Sequence, residues 1–153
     1  MVPFAHLHVH SEYSLLDGAC RIEELGQTSC ALTDHGVMYG VIDFYRACKA
    51  KGIHPVIGCE VYLAPHSRFD RSYINGEWHT HLILLCENMT GYRNLIHMVS
   101  CGFSEGFYMK PRIDMELLRA HSEGLICLSA CLAGAIPRAL ADGDMDGAYD
   151  LCE

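Results

Sequence analysis

The opening segment of the chain alternates between hydrophobic and polar residues. In residues 4–10, Leu7 and Val9 share one side of an extended backbone, and three histidines share the other side. We therefore predict a β-strand with one apolar face and one imidazole-rich face. A second, apolar strand is predicted at 29–33.

A helical period replaces this alternation after residue 40. Apolar residues recur at Val41, Phe44, Tyr45 and Cys48, which is the spacing of an amphipathic helix that Gly52 closes. The same criteria predict further strands at 55–63, 81–86 and 125–129, and further helices at 90–99, 113–121, 133–141 and 144–153. Because strands and helices alternate at the rhythm of βαβ units, we predict an α/β fold with a mainly parallel sheet or barrel.

The size and composition of the chain indicate a single globular domain. It has 153 residues, of which 50% are hydrophobic and 20% are charged, and this excludes the disordered and collagen-like classes. The 19 acidic residues outnumber the 11 basic ones and give a formal charge of −8, so the bare surface should repel nucleic-acid phosphates. Bound divalent cations would change that balance locally.

The chain contains 9 cysteines without a C-x-x-C pair, and most of them lie inside apolar runs. This pattern argues against a disulfide framework and favours a reducing, cytoplasmic compartment. The sequence shows no targeting segment, and its apolar stretches are shorter than the roughly 18 residues that span a membrane. We therefore expect a cytoplasmic protein with no membrane partner.

Side chains that bind metal ions gather at the ends of the predicted strands, where the active sites of parallel α/β proteins form. Imidazole, carboxylate and thiolate are the donors that a transition-metal site requires. In chain order these residues are His8 and His10, Asp34 and His35, Glu60, His79 and His81, and Cys131.

The pair His8 and His10 is the sharpest local signal, because alternate residues of a strand point to the same side and can bind one ion. Such histidines are also common without a metal, and it is their combination with the other donors that favours one. Glu60 follows an apolar run, where an unpaired charge is costly, and a carboxylate there can bridge two cations that clamp a phosphoester. Cys131 by itself is typical of a core cysteine.

Other candidate residues carry less information. Lys110 and Arg112 could contact a phosphate, although a short basic turn is more often simply solvated. The remaining histidines have no partner in the pattern, and we interpret them as surface or core residues: His54, His66, His97 and His121.

Several segments of the sequence together resemble one protein family. They are 6–18, 31–36, 57–62, 91–95 and 106–112. This set is similar to the amino-terminal PHP (polymerase and histidinol phosphatase) domain of bacterial replicative DNA polymerase III alpha subunits, and the resemblance covers nearly the whole chain.

The resemblance implies a distorted, TIM-like (β/α)7 barrel with a trinuclear metal cluster at the carboxyl ends of its strands. It implies Zn²⁺, Mn²⁺ or Fe as the cofactor, with Mg²⁺ as a further option, and a bridging role for Glu60. It also turns Cys131 from a core residue into a ligand. The implied metal ligands are His8, His10, Asp17, His35, Glu60, His81 and Cys131. His6 and Asp34 are expected to contact these ligands rather than the metal.

The sequence departs from the family pattern in two places. Only residues 21–27 stand where the family usually has a full helix, and they are shorter by about two helical turns. The chain also ends before the family's last motif, an Asp-x-His pair. We therefore expect residues 1–153 to form an incomplete PHP barrel, truncated before its last metal motif and without a polymerase core.

Two functions follow from the resemblance. In the first, the chain is a metal-binding domain of a replicative polymerase, and its partners are the rest of the alpha subunit, other replicase subunits such as a proofreading exonuclease and, through the parent protein, DNA. In the alternative, it is an active metal-dependent phosphoesterase of the 3′–5′ exonuclease, pyrophosphatase or histidinol-phosphate phosphatase type. The segments 11–18 and 108–114 favour the polymerase branch over a free-standing phosphatase.

Overall fold

A computed structural model of the protein describes residues 5–11, 28–71 and 79–152. Within these ranges the strands are β1 (Ser29–Leu32), β2 (His54–Leu63), β3 (Thr80–Cys86), β4 (Phe107–Tyr108), β5 (Lys110–Ile113) and β6 (Leu125–Leu128). The helices are α1 (Val41–Lys51), α2 (Met89–Ser104), α3 (Met115–Ala120), α4 (Ala135–Ala141) and α5 (Met145–Asp150). The predicted α/β class is confirmed.

Helix α1 forms where its apolar spacing predicts. Val41, Phe44 and Cys48 are buried and pack on Leu32 of β1. Gly52 ends the helix with a φ of 70°, a left-handed conformation that glycine adopts without strain. The apolar stripe and the closing glycine therefore determine both the face and the end of this helix.

Helix α2 begins at a strong cap and runs past its predicted end at residue 99. The side chain of Asn88 accepts hydrogen bonds from the backbone amides of Thr90 and Gly91, which satisfies donors that the first turn leaves free. The buried stripe of the helix continues to Cys101, and this keeps the last turn packed on the sheet.

β2 is the centre of the sheet. β1 runs parallel to the first half of β2, and β5 runs parallel to its last two residues. On the other side β3 is antiparallel to β2, and β6 is antiparallel to β3. β4 and β5 form a short antiparallel hairpin.

The prediction of a mainly parallel sheet is wrong for the described strands. A parallel β2–β3 pair would need a crossover, usually a helix, and the described residues between the two strands contain turns and no helix. β3 pairs with β2 in the opposite direction, so the amino end of β3 lies beside the carboxyl end of β2. In this register His81 lies opposite Tyr62, at the edge of the sheet that carries Glu60.

Alternate residues of β2 face two different layers. Cys59, Val61 and Leu63 are buried in the core beneath α2 and α3, together with Leu82 and Leu84 of β3. The intervening residues of β2, among them the buried Glu60, point to the opposite face of the sheet. The candidate chemistry therefore lies on the face that is turned away from α2.

The predicted first strand is only partly formed. In residues 5–11 a single bridge pairs His6 with Cys30, and the backbone amides of Ala31 and Thr33 donate to the carbonyl oxygens of His6 and Val9, each at 2.8 Å. The side chain of Leu7, expected on the apolar face, is 46% exposed. This segment lies beside β1 as a bent chain rather than as a strand with two regular faces.

The β4–β5 hairpin was not predicted. Its turn is the single residue Met109, which has a φ of 62°. The second strand of the hairpin contains Lys110 and Arg112, which the sequence pattern had indicated to be a short basic turn.

The shortened crossover at 21–27 lies outside the described residues. No helix of the described part has the length and hydropathy that crossing a membrane requires.

Candidate metal centre

The buried carboxylate of Glu60 lies among four imidazole rings. Its Oε2 atom is 3.3 Å from Nε2 of His8 and 3.4 Å from Nε2 of His10. Its Oε1 atom is 3.3 Å from Nδ1 of His35 and 3.3 Å from Nδ1 of His81. Each carboxylate oxygen therefore faces its own pair of nitrogen donors.

These separations suit a shared metal ion better than direct hydrogen bonds. An N–H···O hydrogen bond is usually about 2.9–3.0 Å long. Two ligands at about 2.0–2.1 Å from one tetrahedral Zn²⁺ lie about 3.3 Å apart, close to the observed 3.3–3.4 Å. The Nδ1 atom of His81 is also buried without a hydrogen bond, as expected of a ligand nitrogen.

His8 is held in position by the hydroxyl of Thr33. The Oγ1 atom of Thr33 lies 2.7 Å from Nδ1 of His8 and 3.3 Å from the carbonyl oxygen of Val9. If the hydroxyl donates its one hydrogen to Val9, it accepts the Nδ1 hydrogen of His8. We assign this tautomer because it leaves the Nε2 lone pair of His8 free on the side of Glu60.

Asp34 joins the first segment to the sheet. Its carboxylate, 1% exposed, accepts hydrogen bonds from the backbone amide of Ser11 at 2.6 Å and from the Ser11 hydroxyl at 2.7 Å. The next residue, His35, forms a parallel bridge with Glu60, since the Glu60 amide donates to the Asp34 carbonyl and the Gly36 amide donates to the Glu60 carbonyl. The expected supporting role of Asp34 stays a prediction, and this geometry supports it.

The environment favours the neutral forms of His8 and His81. Burial, together with the nearby His10 and His35, lowers the pKa of His8 to about 4. Burial also lowers the pKa of His81 to about 4, together with His79 and His35. The rings of His10 and His35 stack with centroids 4.0 Å apart. Neutral imidazoles offer lone pairs, which a cation requires.

The structure brings five of the predicted ligands together around one carboxylate. Among the described residues, three donor atoms within 4.8 Å of one another are offered by His8, His10 and Glu60. Asp17 lies outside the described residues. Cys131 is exposed in the loop after β6, and a Cβ atom on Gly134 in that loop would lie 3.3 Å from the His81 carbonyl oxygen. The role of Cys131 as a ligand stays a prediction.

The remaining predicted residues have different surroundings. The guanidinium of the buried Arg112 donates to the carbonyl oxygens of Asp70 at 2.6 Å and Gly106 at 3.3 Å, a structural role that the sequence did not suggest. The phosphate contact is therefore retained as a prediction for Lys110, whose ammonium lies 5.3 Å from the Tyr62 ring centroid. His6 is exposed and contributes its backbone carbonyl to the bond with Ala31.

Sequence reasoning missed two residues beside the centre, Tyr62 and Thr33, and it named His79 only as a candidate. The buried Tyr62 packs its ring 5.3 Å from that of His81 and 4.8 Å from that of His79. The Nδ1 atom of His79 is buried without a hydrogen bond. Thr33 has the appearance of an ordinary β-branched strand residue. The only available signal for Thr33 was its position, because it lies two residues before the predicted ligand His35.

The chain is similar to curated proteins named DNA polymerase III subunit alpha. It is 55% identical to that of Treponema pallidum over 148 residues, 50% identical to that of Chlamydia muridarum over 146 residues, and 44% identical to that of Thermus aquaticus over 154 residues. These matches cover 92%, 90% and 94% of this chain and 13%, 12% and 13% of the respective relatives. The chain therefore spans about an eighth of the length of the relatives that it matches.

A solved structure of an amidohydrolase from Chromobacterium violaceum, with bound sulfate and no metal, is 23% identical and covers 63% of this chain and 32% of its own, with a TM-score of 0.44. A likeness of that size carries no functional argument. Residues 6–153 match the family described as the PHP domain. Because this match covers nearly the whole chain, the protein belongs to the PHP domain family.

Proposed function

We propose that this chain is the metal-binding PHP domain of a bacterial replicative DNA polymerase III alpha subunit. The observation that carries the proposal is the buried Glu60 carboxylate among four imidazoles. The chain's 44–55% sequence identity to alpha subunits supports the choice of the parent protein. The partners in this proposal are the rest of the alpha subunit and other replicase subunits in the cytoplasm, with DNA reached through them.

The residues of the centre divide into two donor sets. The ring nitrogens of His8 and His10 lie near one oxygen of Glu60, and those of His35 and His81 lie near the other. One carboxylate that joins two donor sets suits a pair of divalent cations. Such ions, when bound, polarise a phosphoryl oxygen and lower the pKa of a bound water.

A second candidate function is metal-dependent phosphoester hydrolysis at this centre. The observation that favours it is the same pair of donor sets, because two ions held side by side can stabilise the attacking and leaving oxygens of a phosphoester. In this role the chain's own residues orient the ions, and Lys110 beside Tyr62 adds a positive charge toward a phosphate.

Elemental analysis of the purified protein, with a thermal melt in the presence and absence of a chelator, tests metal binding. We expect at least two equivalents of Zn²⁺, Mn²⁺ or Fe and a lower Tm after chelation. Glu60→Gln should reduce the metal content, whereas Glu87→Gln, which changes an exposed carboxylate, should not. Metal-free protein with a chelator-insensitive melt would contradict the proposal.

Product release from single-stranded DNA, pyrophosphate and histidinol phosphate by the Mn²⁺-loaded protein tests the second candidate. Activity that His8→Ala abolishes and that a matched change at the exposed His66 preserves would support it. A metal-loaded protein that releases no product from any of the three substrates would exclude hydrolysis and leave the metal-binding role in place.

A further inference from the structure

A second group of metal-binding side chains lies on the opposite face of the sheet. His97 and Cys101 are one turn apart on α2, and Cys101 belongs to the core beneath that helix. His121 follows the last turn of α3, and its ring centroid is 4.5 Å from that of His97. The group thus joins two helices and shares no residue with the Glu60 centre.

One distance within this group matches that between two ligands of a single metal ion. Nε2 of His97 lies 3.6 Å from Sγ of Cys101. A sulfur at about 2.3 Å and a nitrogen at about 2.0–2.1 Å from one tetrahedral Zn²⁺ lie about 3.6 Å apart. The 4.5 Å separation of the His97 and His121 rings equals that of His8 and His10, which share one oxygen of Glu60.

The second imidazole of the group, that of His121, lies within hydrogen-bond distance of a backbone carbonyl through one of its two nitrogens. Nδ1 of His121 lies 3.1 Å from the carbonyl oxygen of Leu117, and when this nitrogen carries the hydrogen, Nε2 keeps its lone pair. A ligating histidine usually makes such a bond with its other nitrogen. His97 is exposed and His121 is half-buried, so an ion can reach both rings from solvent.

We propose that His97, Cys101 and His121 bind one Zn²⁺ ion, with water as the fourth ligand, and that this ion ties α3 to α2. Among the described residues, only the Glu60 centre already has three donors within 4.8 Å of one another, so the His121 ring has to turn toward Cys101 when the ion binds. The Cys101 thiol releases its proton to solvent on binding.

A Co²⁺ titration of the purified protein tests this site, because a thiolate ligand gives a sulfur-to-cobalt charge-transfer band in the near ultraviolet. Cys131→Ser serves as the background, since it removes the thiol predicted for the Glu60 centre. We expect the band in this background and its loss when Cys101→Ser is added. Adding Cys127→Ser, which changes an exposed thiol, should leave the band unchanged.

His97→Ala and His121→Ala should each weaken Co²⁺ binding at this band by about tenfold or more. His97 is exposed, so its replacement leaves the core intact and the result does not depend on a folding defect. A Cys131→Ser protein without the band, or a band that survives Cys101→Ser, would overturn the proposal. Because the readout follows one thiolate, it is independent of whether the Glu60 centre binds metal or hydrolyses phosphoesters.

Discussion

At the scale of single residues, the centre depends on which nitrogen of each imidazole is free. Thr33 occupies Nδ1 of His8, and this directs Nε2 toward Glu60. His35 and His81 instead present Nδ1 to the same carboxylate. The hydrogen bond from a neighbouring group therefore decides whether a histidine here can act as a ligand.

Replacing Thr33 tests this dependence. Thr33→Val keeps the shape of the side chain and removes the hydroxyl, so we expect metal affinity to fall about 10- to 100-fold. Thr33→Ser restores the hydroxyl and should recover most of the affinity. Competition with a chromophoric chelator measures both variants. Equal affinity of Thr33→Val and the wild type would show that the Thr33–His8 bond does not orient the ligand.

The stability of the chelator-treated protein should depend on pH through His8 and His81. Both have a pKa of about 4 in the folded state against an ordinary 6.5, so the unfolded chain binds more protons between these values. Stability is therefore fully present above 6.5 and is lost progressively as the pH falls toward 4.

Thermal melts of metal-free protein across that interval measure the effect. His81→Gln should flatten the pH dependence, and His66→Gln, at an exposed position, should leave it unchanged. A slope that is the same in all three proteins would contradict the assignment.

Part of the centre could be predicted from the sequence. The H-x-H spacing and the carboxylate after an apolar run identified His8, His10 and Glu60, because a strand fixes which side chains share a face. The hydroxyl of Thr33 escaped prediction, since a threonine in an apolar strand has the same pattern whether or not it binds an imidazole. The predicted roles of Asp17 and Cys131 remain open to test.

At the scale of elements, α3 is a short helix that depends on Asp114, the residue that caps its amino end. The carboxylate of the buried Asp114 accepts hydrogen bonds from the Leu117 amide at 3.0 Å and from the Arg68 amide at 2.8 Å, and it pairs with the Arg68 guanidinium. Burial opposes ionisation, but these bonds outweigh it and lower the pKa of Asp114. One side chain thus caps α3 and anchors the loop after β2.

Asp114→Asn should therefore destabilise the fold by about 2 kcal/mol, because asparagine can still cap the helix but removes the buried charge that pairs with the Arg68 guanidinium. Urea unfolding measures the loss of stability. Glu116→Gln, at an exposed position two residues further along the chain, is the matched control. The effect should disappear in acid, since the contribution of a carboxylate with a lowered pKa is lost as the pH falls through that pKa. A loss of stability that persists unchanged in acid would point to packing instead.

Element types followed from periodicity, but strand direction did not. The apolar runs that became β2 and β3 have the same pattern in either direction, so the pattern does not show that the pair is antiparallel. The β4–β5 hairpin escaped prediction because its turn is Met109 in a left-handed backbone conformation. Glycine or asparagine usually marks such a turn in a sequence.

At the scale of the whole molecule, the centre places one buried carboxylate among four partly exposed imidazoles in a chain of net negative charge. The chain carries a formal charge of −8, and Glu60 is 4% exposed, so its carboxylate is costly to bury without a cation. Metal ions bound there would offset that cost and would link the first segment, β1, β2 and β3 through one residue.

Glu60→Gln should consequently change stability in opposite directions with and without metal. Without metal, the neutral amide should leave the free energy of unfolding unchanged or raise it. With Zn²⁺ at about 100 times Kd, the wild type should gain about 2.7 kcal/mol that the variant lacks. Urea unfolding with and without Zn²⁺ gives both values, and a variant that gains as much from Zn²⁺ as the wild type would contradict the bridging role.

The two oxygens of Glu60 also differ in how far along the chain they reach. His35 and His81, on Oε1, are 25 and 21 residues from Glu60, whereas His8 and His10, on Oε2, are 52 and 50 residues away. Closing a loop of twice the length costs about 0.6 kcal/mol more in chain entropy. We therefore expect the Oε1 half to assemble first during folding. Ile83→Val, in β3, should slow refolding by a larger factor than it accelerates unfolding. Val9→Ala should accelerate unfolding by a larger factor than it slows refolding.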